Sequence, residues 1–301
     1  MRRRRTLVIT TIVLAVFLVC AWVVLRRGPP PEAPLPNPNG YDDLIRAAAG
    51  LTRPGIDYNA TQAQLKQFVM ENAEPLLLAR EGLSKECRTP LGTNRWEDSL
   101  LKSMARAFCI EARFLSLSGD TNAAARACLD AARVGDMGFH GGLSIDHLVE
   151  LAIEAHALDQ LALLVDGLDA SQCRLLIGPI LALEQDDEDL KSILKRDRAW
   201  TQHALSSGER LRLMGERLRL MWESRSLRLS SGAVMAKIKD RRVRTHRQIR
   251  QQVVDLAVRA FELENGRSPL SAEELVPAYL EEIPTDPETG APLNWDSSGG
   301  Y

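Results

Sequence analysis

Residues 105–138 read ARAFCIEARFLSLSGDTNAAARACLDAARVGDMG, and this stretch decides the fold that the sequence predicts. Apolar and small side chains recur at helical spacing on both sides of Gly119-Asp120, a pair that is typical of a tight turn. The stretch therefore predicts two helices that fold back on each other, with small residues allowing a close approach. The facing positions would be Phe108, Ala112 and Leu115 on the first helix, and Ala124, Cys128 and Ala131 on the second.

This order of large and small positions resembles one tetratricopeptide repeat, with a departure at Glu111, where the motif prefers leucine. No convincing second copy follows, and a single repeat cannot form a peptide-binding solenoid. A plain alanine-rich hairpin is the alternative interpretation. Cys109 and Cys128 fall at nearly the same height beside the turn, so a disulfide is geometrically feasible. Cys128 would serve equally well as a small apolar side chain in the core.

Helical patterning extends in both directions from this hairpin, and the predicted fold class is mainly α. Alanine, leucine, arginine and glutamate dominate, and strand-like alternation is scarce. Predicted caps are Thr61, Thr121, Asp169 and Ser271, the last in a capping box with Glu274. The predicted helices are Tyr41–Ala49, Thr61–Leu83 with a kink at Pro75, Arg95–Leu117, Thr121–Gly135, Leu143–Val165, Ala170–Leu183, Glu188–Ser206, Glu209–Leu229, Ala233–Asn265 and Ser271–Tyr279.

The C-terminal segment 261–295 reads FELENGRSPLSAEELVPAYLEEIPTDPETGAPLNW. Gly266 suits the end of a long helix, Pro269 prevents its continuation, and the prolines after it predict turns before a short strand at Ala291–Trp295. The segment resembles the C-terminal part of the major pseudopilin of type II secretion systems. That family has a processing glycine and a glutamate before its apolar helix, and this chain has neither. Asp286 and Glu288 alone cannot supply the oxygen ligands of a calcium site.

An apolar stretch near the N-terminus, Thr6–Leu25, reads TLVITTIVLAVFLVCAWVVL and carries no charge. At about 1.5 Å per residue its length matches the roughly 30 Å hydrocarbon core of a bilayer. Four arginines precede it and two follow it, so the positive-inside rule places the N-terminus in the cytoplasm and the body outside. The sequence predicts a single-pass anchor in the bacterial inner membrane. The alternatives are a cleaved signal peptide, a lipoprotein signal at Cys20 and a prepilin leader.

Four regions follow from these patterns. Residues 1–27 form a cytoplasmic stub and transmembrane anchor, and residues 28–40 (GPPPEAPLPNPNG) form a proline-rich linker. Residues 41–230 form a helical body, and residues 231–301 form a long helix with the pseudopilin-like tail. A heptad-like stripe at Glu209–Met221 favours packing on the body over self-association. A basic run at 237–247 is interpreted as a solvated helix face, with an anionic lipid or acidic partner as the alternative.

Charged residues nearly balance, with 38 Lys and Arg against 40 Asp and Glu, and this argues against a general nucleic-acid-binding role. No hydrolase, nucleotide or dinucleotide motif is present, and no CxxC pair. His147, Glu150 and Glu154 share one helix face, near enough to hold a metal. Since Ile145, Leu148, Val149, Ala152 and Ala155 occupy the other face, the polar set is interpreted as the solvated side. The acidic run 186–189 is likewise interpreted as a solvated helix cap.

The sequence therefore predicts no catalytic, cofactor-binding or metal-binding residues, and no cofactor. The predicted partners are the lipid bilayer, through the N-terminal helix, and other proteins. The predicted function is that of a membrane-tethered extracytoplasmic interaction or scaffold protein without catalytic activity. The alternative is a component associated with a type II secretion or pilus-like assembly.

Overall fold

A computed structural model of the chain describes residues 34–53, 56, 60–91, 95–204 and 225–293. Within these ranges the chain is mainly helical, as predicted, and its one β-type contact is an isolated bridge between Thr285 and Pro292. Short 3₁₀ turns lie at Val165–Gly167 and Ala272–Leu275. The described α-helices are α1 (Gly40–Ala49), α2 (Gln62–Glu71), α3 (Ala73–Leu83), α4 (Arg95–Leu117), α5 (Thr121–Phe139), α6 (Ser144–Ala162), α7 (Ala170–Gln185), α8 (Leu190–Ala204) and α9 (Arg225–Asn265).

Contacts along the chain define two compact units. One consists of Leu35–Ile193 together with Ser231–Tyr301, and it contains the hydrophobic core. The other consists of Met1–Pro34 together with Leu194–Ser230, of which Pro34, residues 194–204 and residues 225–230 are described.

The hairpin that the sequence predicts is formed by α4 and α5, which pack along each other, and α6 packs along α5 in turn. Phe108 and Ala124 are fully buried between the helices. The cap of α5 is Asp120, whose carboxylate accepts a hydrogen bond from the Ala123 amide at 2.9 Å, so the prediction of Thr121 is wrong by one residue. The hairpin thus follows the predicted spacing, with its second helix extended to Phe139.

The disulfide considered for this hairpin is not formed. Neither Cys109 nor Cys128 is in a disulfide, and both side chains are buried. Cys87 and Cys173 are also free and buried. Burial raises the pKa of the Cys128 thiol, with a smaller contribution from the neighbouring Cys109. These cysteines therefore act as small apolar side chains in the core.

The helix predicted at Thr61–Leu83 is divided in two at Asn72 rather than kinked at Pro75. Pro75 has no amide hydrogen, and its ring would clash with the carbonyl of Glu71, four residues earlier. The first helix therefore ends at Glu71. Asn72 is completely buried, and its side chain accepts from the Thr52 amide at 2.7 Å and donates to the Phe68 carbonyl at 2.8 Å. The break is thereby tied to the loop after α1.

Glu111, the departure from the repeat motif, faces a partner outside the hairpin. Arg80 of α3 donates to Glu111 at 2.6 Å and to Asp130 of α5 at 2.7 Å. The Glu111 and Asp130 side chains are 12 % and 17 % exposed. Burial raises the pKa of both carboxyls, and the hydrogen bonds from Arg80 oppose that rise. One guanidinium therefore compensates two largely buried carboxylates and connects α3 to both helices of the hairpin.

Arg80→Met is expected to destabilise the fold, because it would leave Glu111 and Asp130 close together without their counter-charge. The Arg80 side chain is 37 % exposed, so water screens part of the loss. We expect about 2 kcal/mol rather than the roughly 3–5 kcal/mol of a fully buried pair. Urea unfolding followed by circular dichroism measures the change. Arg46→Met is the matched control, since Arg46 is 67 % exposed in its pair with Asp43, and an equal loss in both variants would contradict this role of Arg80.

The tail packs back on α9 as its apolar residues predict. Gly266 ends α9 with φ +68°, and Leu275 and Leu280 join the hydrophobic core. The Phe261 and Tyr279 rings lie 5.6 Å apart between centroids. These contacts bring the tail and the C-terminal half of α9 into the same core.

The predicted short helix and its capping box are not formed as predicted in the tail. The short helix is a 3₁₀ turn, and Ser271 makes no capping hydrogen bond from its side chain. Glu274 instead accepts from the Leu270 amide at 3.0 Å and pairs with Arg267 at 2.8 Å, so the predicted box is replaced by contacts on the other side of Ser271. The strand at Ala291–Trp295 is reduced to the single bridge at Pro292, and Trp295 lies outside the described residues.

In the part of the chain that the structure describes, none of the helices has the length and apolar character needed to cross a bilayer. The predicted anchor at Thr6–Leu25 lies outside the described residues, as does the heptad-like stripe at Glu209–Met221.

Candidate functional site

The polar face of α6 points into the protein. His147, Glu150 and Glu154 are only 3 %, 7 % and 2 % exposed, whereas Ile145 is 58 % exposed. The prediction that this polar set is the solvated side is therefore wrong. Helical periodicity separates two faces of a helix, but it cannot decide which face is buried when the polar one finds charged partners elsewhere in the chain.

Two further carboxylates join this face from other elements. Asp136 comes from the last turns of α5, and Asp187 from the segment between α7 and α8. The helices α5 and α6 approach closely here: a β-carbon added at Gly135 would lie 3.1 Å from the Glu150 carbonyl oxygen. We call the resulting set the buried acid–histidine cluster. Its members are Asp136, His147, Glu150, Glu154 and Asp187.

His147 occupies the centre of this cluster. Its Nδ1 lies 3.1 Å from Glu150 Oε2, and its Nε2 lies 3.8 Å from Asp187 Oδ1. Both Nε2 of His147 and Oδ1 of Asp187 are buried and have no hydrogen-bond partner among the described residues. Two polar atoms that face each other across this gap without a partner are uncommon in a protein interior.

The other oxygen of Asp187 is fully engaged by α9. Arg242 Nε and His246 Nε2 lie 2.6 Å and 2.7 Å from Asp187 Oδ2. The Asp187 side chain is 3 % exposed, so the prediction of a solvated cap is wrong for this residue. The basic run on α9 is likewise only partly solvated, since Arg242 is 22 % exposed.

An outer layer continues this network away from the cluster. Glu184 lies 3.3 Å from His246 Nδ1 and 2.6 Å from Arg250. Burial alone would lower the pKa of His246, but hydrogen bonds to Asp187 and Glu184 outweigh it, and the pKa is raised. Burial alone would raise the pKa of Glu184, but hydrogen bonds to His246 and Arg250 outweigh it and lower the pKa to about 2. This layer is therefore an ionised pair network between α7 and α9.

The carboxyl groups of Asp136, Glu150 and Glu154 differ from this ionised layer, because burial favours their neutral form. Burial raises the pKa of Asp136 to about 7, with further contributions from Asp186 and Asp187. Burial and neighbouring carboxylates raise the pKa of Glu150 and of Glu154 well above the usual range. A buried carboxyl group with a raised pKa needs a proton or a cation to be stable in this environment.

The pKa of His147 is lowered, chiefly by burial, which favours the neutral imidazole. A neutral imidazole has a ring nitrogen lone pair and is a common metal ligand. Two overlapping groups in the cluster have ligand atoms within 4.8 Å of one another, and Glu150 belongs to both. The groups are His147, Glu150 and Asp187, and Asp136, Glu150 and Glu154.

The sequence predicts only part of this cluster. Asp136 was missed, although it extends the line of buried small residues on α5 and is the charged exception on that face. Arg242 and His246 both fall within the basic run at 237–247, which gives no sign of their contacts with Asp187. His140 and His156 are not members of the metal-capable groups among the described residues, and His156 is exposed on the same helix as His147.

The burial of the cluster limits the chemistry that it can perform. Its histidine and carboxylates are 9 % exposed or less, so a substrate has no direct access to them. The arrangement suits a buried ion or a shared proton better than a catalytic step on a bound molecule.

Comparisons of the chain with protein-family models, with curated proteins and with solved structures found no match.

Proposed function

We propose that this chain is a membrane-tethered interaction or scaffold protein whose helical body is displayed on the extracytoplasmic side of the bacterial inner membrane. The observation that carries the proposal is the charge-free stretch Thr6–Leu25 with four arginines before it and two after it. The proline-rich residues 28–40 would hold the body away from the bilayer surface.

The proposed role of the body is binding rather than catalysis. The absence of recognised catalytic motifs from the sequence supports this, and so does the burial of the acid–histidine cluster, because an enzyme must admit its substrate to the reacting groups. A single helical hairpin of the tetratricopeptide type would contribute to the body without forming a peptide-binding groove of its own.

The alternative role, a component associated with a type II secretion or pilus-like assembly, is favoured by one observation. The tail has the long helix, the glycine that ends it, and the short turn that packs back through Tyr279 on Phe261. These are features of the pseudopilin resemblance. The missing processing glycine and glutamate count against a filament subunit.

The tether is tested by membrane fractionation of cells that express the full chain. We expect the chain to remain in the membrane pellet after carbonate washing, and a reporter fused at the C-terminus to be active only outside the cytoplasm. A double substitution, Leu14→Arg with Val16→Arg, should release it, since each central arginine costs about 2.5–3.5 kcal/mol on insertion scales. Leu14→Ile with Val16→Leu is the matched control. Wild-type chain in the soluble fraction would contradict the tether.

The two roles are separated by affinity purification from detergent-extracted membranes, with quantitative mass spectrometry against an untagged control. Reproducible, near-stoichiometric envelope partners would support the scaffold role. Enrichment of secretion or pilus-assembly components would favour the alternative. Recovery of the chain alone, after crosslinking in intact cells, would contradict both roles.

A further inference from the structure

We propose that His147 and Asp187 bind one divalent transition-metal ion, with Glu150 positioning the imidazole, and that this ion connects α6 to the segment between α7 and α8. The proposed ion is structural: it stabilises the packing of the helices and takes no part in a reaction. This inference concerns the interior of the helical body, and it does not depend on whether the chain is tethered to a membrane.

The pair of buried atoms without a partner is the main argument. His147 Nε2 and Asp187 Oδ1 belong to side chains that are each 3 % exposed, and they face each other at 3.8 Å. That separation is too long for a hydrogen bond. Two metal–ligand bonds of about 2.0–2.2 Å span such a gap when they meet at an obtuse angle. The two atoms are therefore placed as adjacent ligands of one ion.

The rest of the geometry supports this assignment. Glu150 lies against Nδ1 of His147 at 3.1 Å, which orients the ring with Nε2 towards Asp187. A Glu150 oxygen, one ring nitrogen of His147 and an Asp187 oxygen also lie within 4.8 Å of one another. Arg242 and His246 hold the second oxygen of Asp187, as hydrogen-bonding partners commonly do for a ligating carboxylate.

The charge balance of the cluster points to a cation. Asp136, Glu150, Glu154 and Asp187 are four acidic groups packed together. The cations that contact them directly are Arg242 and His246, both on Asp187. Acidic side chains therefore outnumber the cationic ones around the gap between His147 and Asp187. This surplus favours a cation over an anion or a neutral ligand at that gap.

The donor atoms narrow the class of metal. An imidazole nitrogen suits zinc, iron, nickel and copper, and carboxylate oxygens suit manganese, magnesium and calcium. A mixed pair of one imidazole and one carboxylate therefore favours a first-row divalent transition metal over magnesium or calcium. A buried water molecule between His147 Nε2 and Asp187 Oδ1 would satisfy the same two atoms. Metal analysis and the dependence of the melting temperature on added metal distinguish an ion from this water.

The first measurement uses the full chain in detergent, purified through a tag that binds no metal. Elemental analysis by mass spectrometry should find about one transition-metal ion per chain, or the chelator-stripped protein should take up Zn²⁺ or Mn²⁺ to that level. Reloading should raise the melting temperature, because an ion that binds only the folded state stabilises it. A protein that stays metal-free and shows no change in melting temperature with either ion would overturn the proposal and leave the bridging water.

The second measurement identifies the ligands. His147→Gln and Asp187→Asn should each weaken binding of the same ion at least about tenfold. His156→Gln is the matched control on the exposed side of α6 and should bind as the wild type does. Substitution with Co²⁺ should give visible absorption bands that change in His147→Gln. Unchanged affinity in His147→Gln, or equal binding of Mg²⁺ and Zn²⁺, would overturn the assignment. If a variant fails to fold by circular dichroism, the wild-type measurement decides.

Discussion

Replacing Gly40 with alanine is expected to destabilise the helical body by about 3 kcal/mol or more. The first residue of α1 lies directly against α3, and its amide donates to the Glu86 carbonyl at 2.9 Å. A β-carbon at this position would lie 2.3 Å from the Gly82 carbonyl oxygen and 2.5 Å from Cys87 Sγ. The nearest of these atoms belongs to the backbone, so a rotamer change cannot relieve the clash, and α1 would have to move away from α3.

Thermal unfolding followed by circular dichroism measures this effect. A loss of 3 kcal/mol corresponds to a fall in melting temperature of about 6–12 °C for a unit of this size. Gly178→Ala is the control, because an added β-carbon there meets nothing within 4 Å. Within α7 that change should raise stability by up to about 1 kcal/mol through helix propensity. Similar changes in the two variants would show that α1 and α3 do not cross closely at Gly40.

This close crossing could not be predicted from the sequence. Gly40 follows GPPPEAPLPNPN, and its composition places it at the end of a proline-rich linker, whereas α1 begins on it. A glycine whose missing side chain allows a neighbouring helix to approach has the same local signal as a glycine in a flexible segment. The difference lies in Gly82, which is 42 residues away in the chain.

Local signals predicted local structure well. The bounds of α4 follow from the apolar spacing and from the turn at Gly119-Asp120, and Thr61 and Asp169 cap their helices as predicted because capping depends on residues three positions apart. The mainly helical class follows from the same periodicity. The anchor, the type of membrane signal and the heptad-like stripe fall outside the described residues, so they stay predictions.

The candidate site shows why the orientation of α6 could not be predicted. Periodicity identified the set His147, Glu150 and Glu154 correctly as one face. The charges that make its burial tolerable come from Asp187 and from Arg242, about 40 and 95 residues further along the chain. A rule that places charges outside fails where the chain supplies distant counter-charges, and such exceptions are concentrated at functional or strained sites.

Phe108→Ala is expected to cost about 3–5 kcal/mol, the range for truncating a fully buried aromatic side chain. Phe108 is 0 % exposed and lies on α4, where the hairpin packs against α3. Its position is the same whether the hairpin is read as a tetratricopeptide-like unit or as a plain alanine-rich pair of helices. Leu117→Ala, on the same helix but 44 % exposed, is the control, and we expect it to change stability by less than about 1 kcal/mol.

Phe108 also contacts Arg80, since the guanidinium carbon of Arg80 lies 4.9 Å from the centre of the Phe108 ring. We expect Arg80→Met and Phe108→Ala to be non-additive, with a coupling energy of about 0.5–1 kcal/mol for a partly exposed cation over an aromatic face. A double-mutant cycle by urea unfolding measures it. Additive losses would mean that Arg80 stabilises this corner through Glu111 and Asp130 alone, and a Phe108→Ala variant as stable as Leu117→Ala would contradict the packing of α3 against the hairpin.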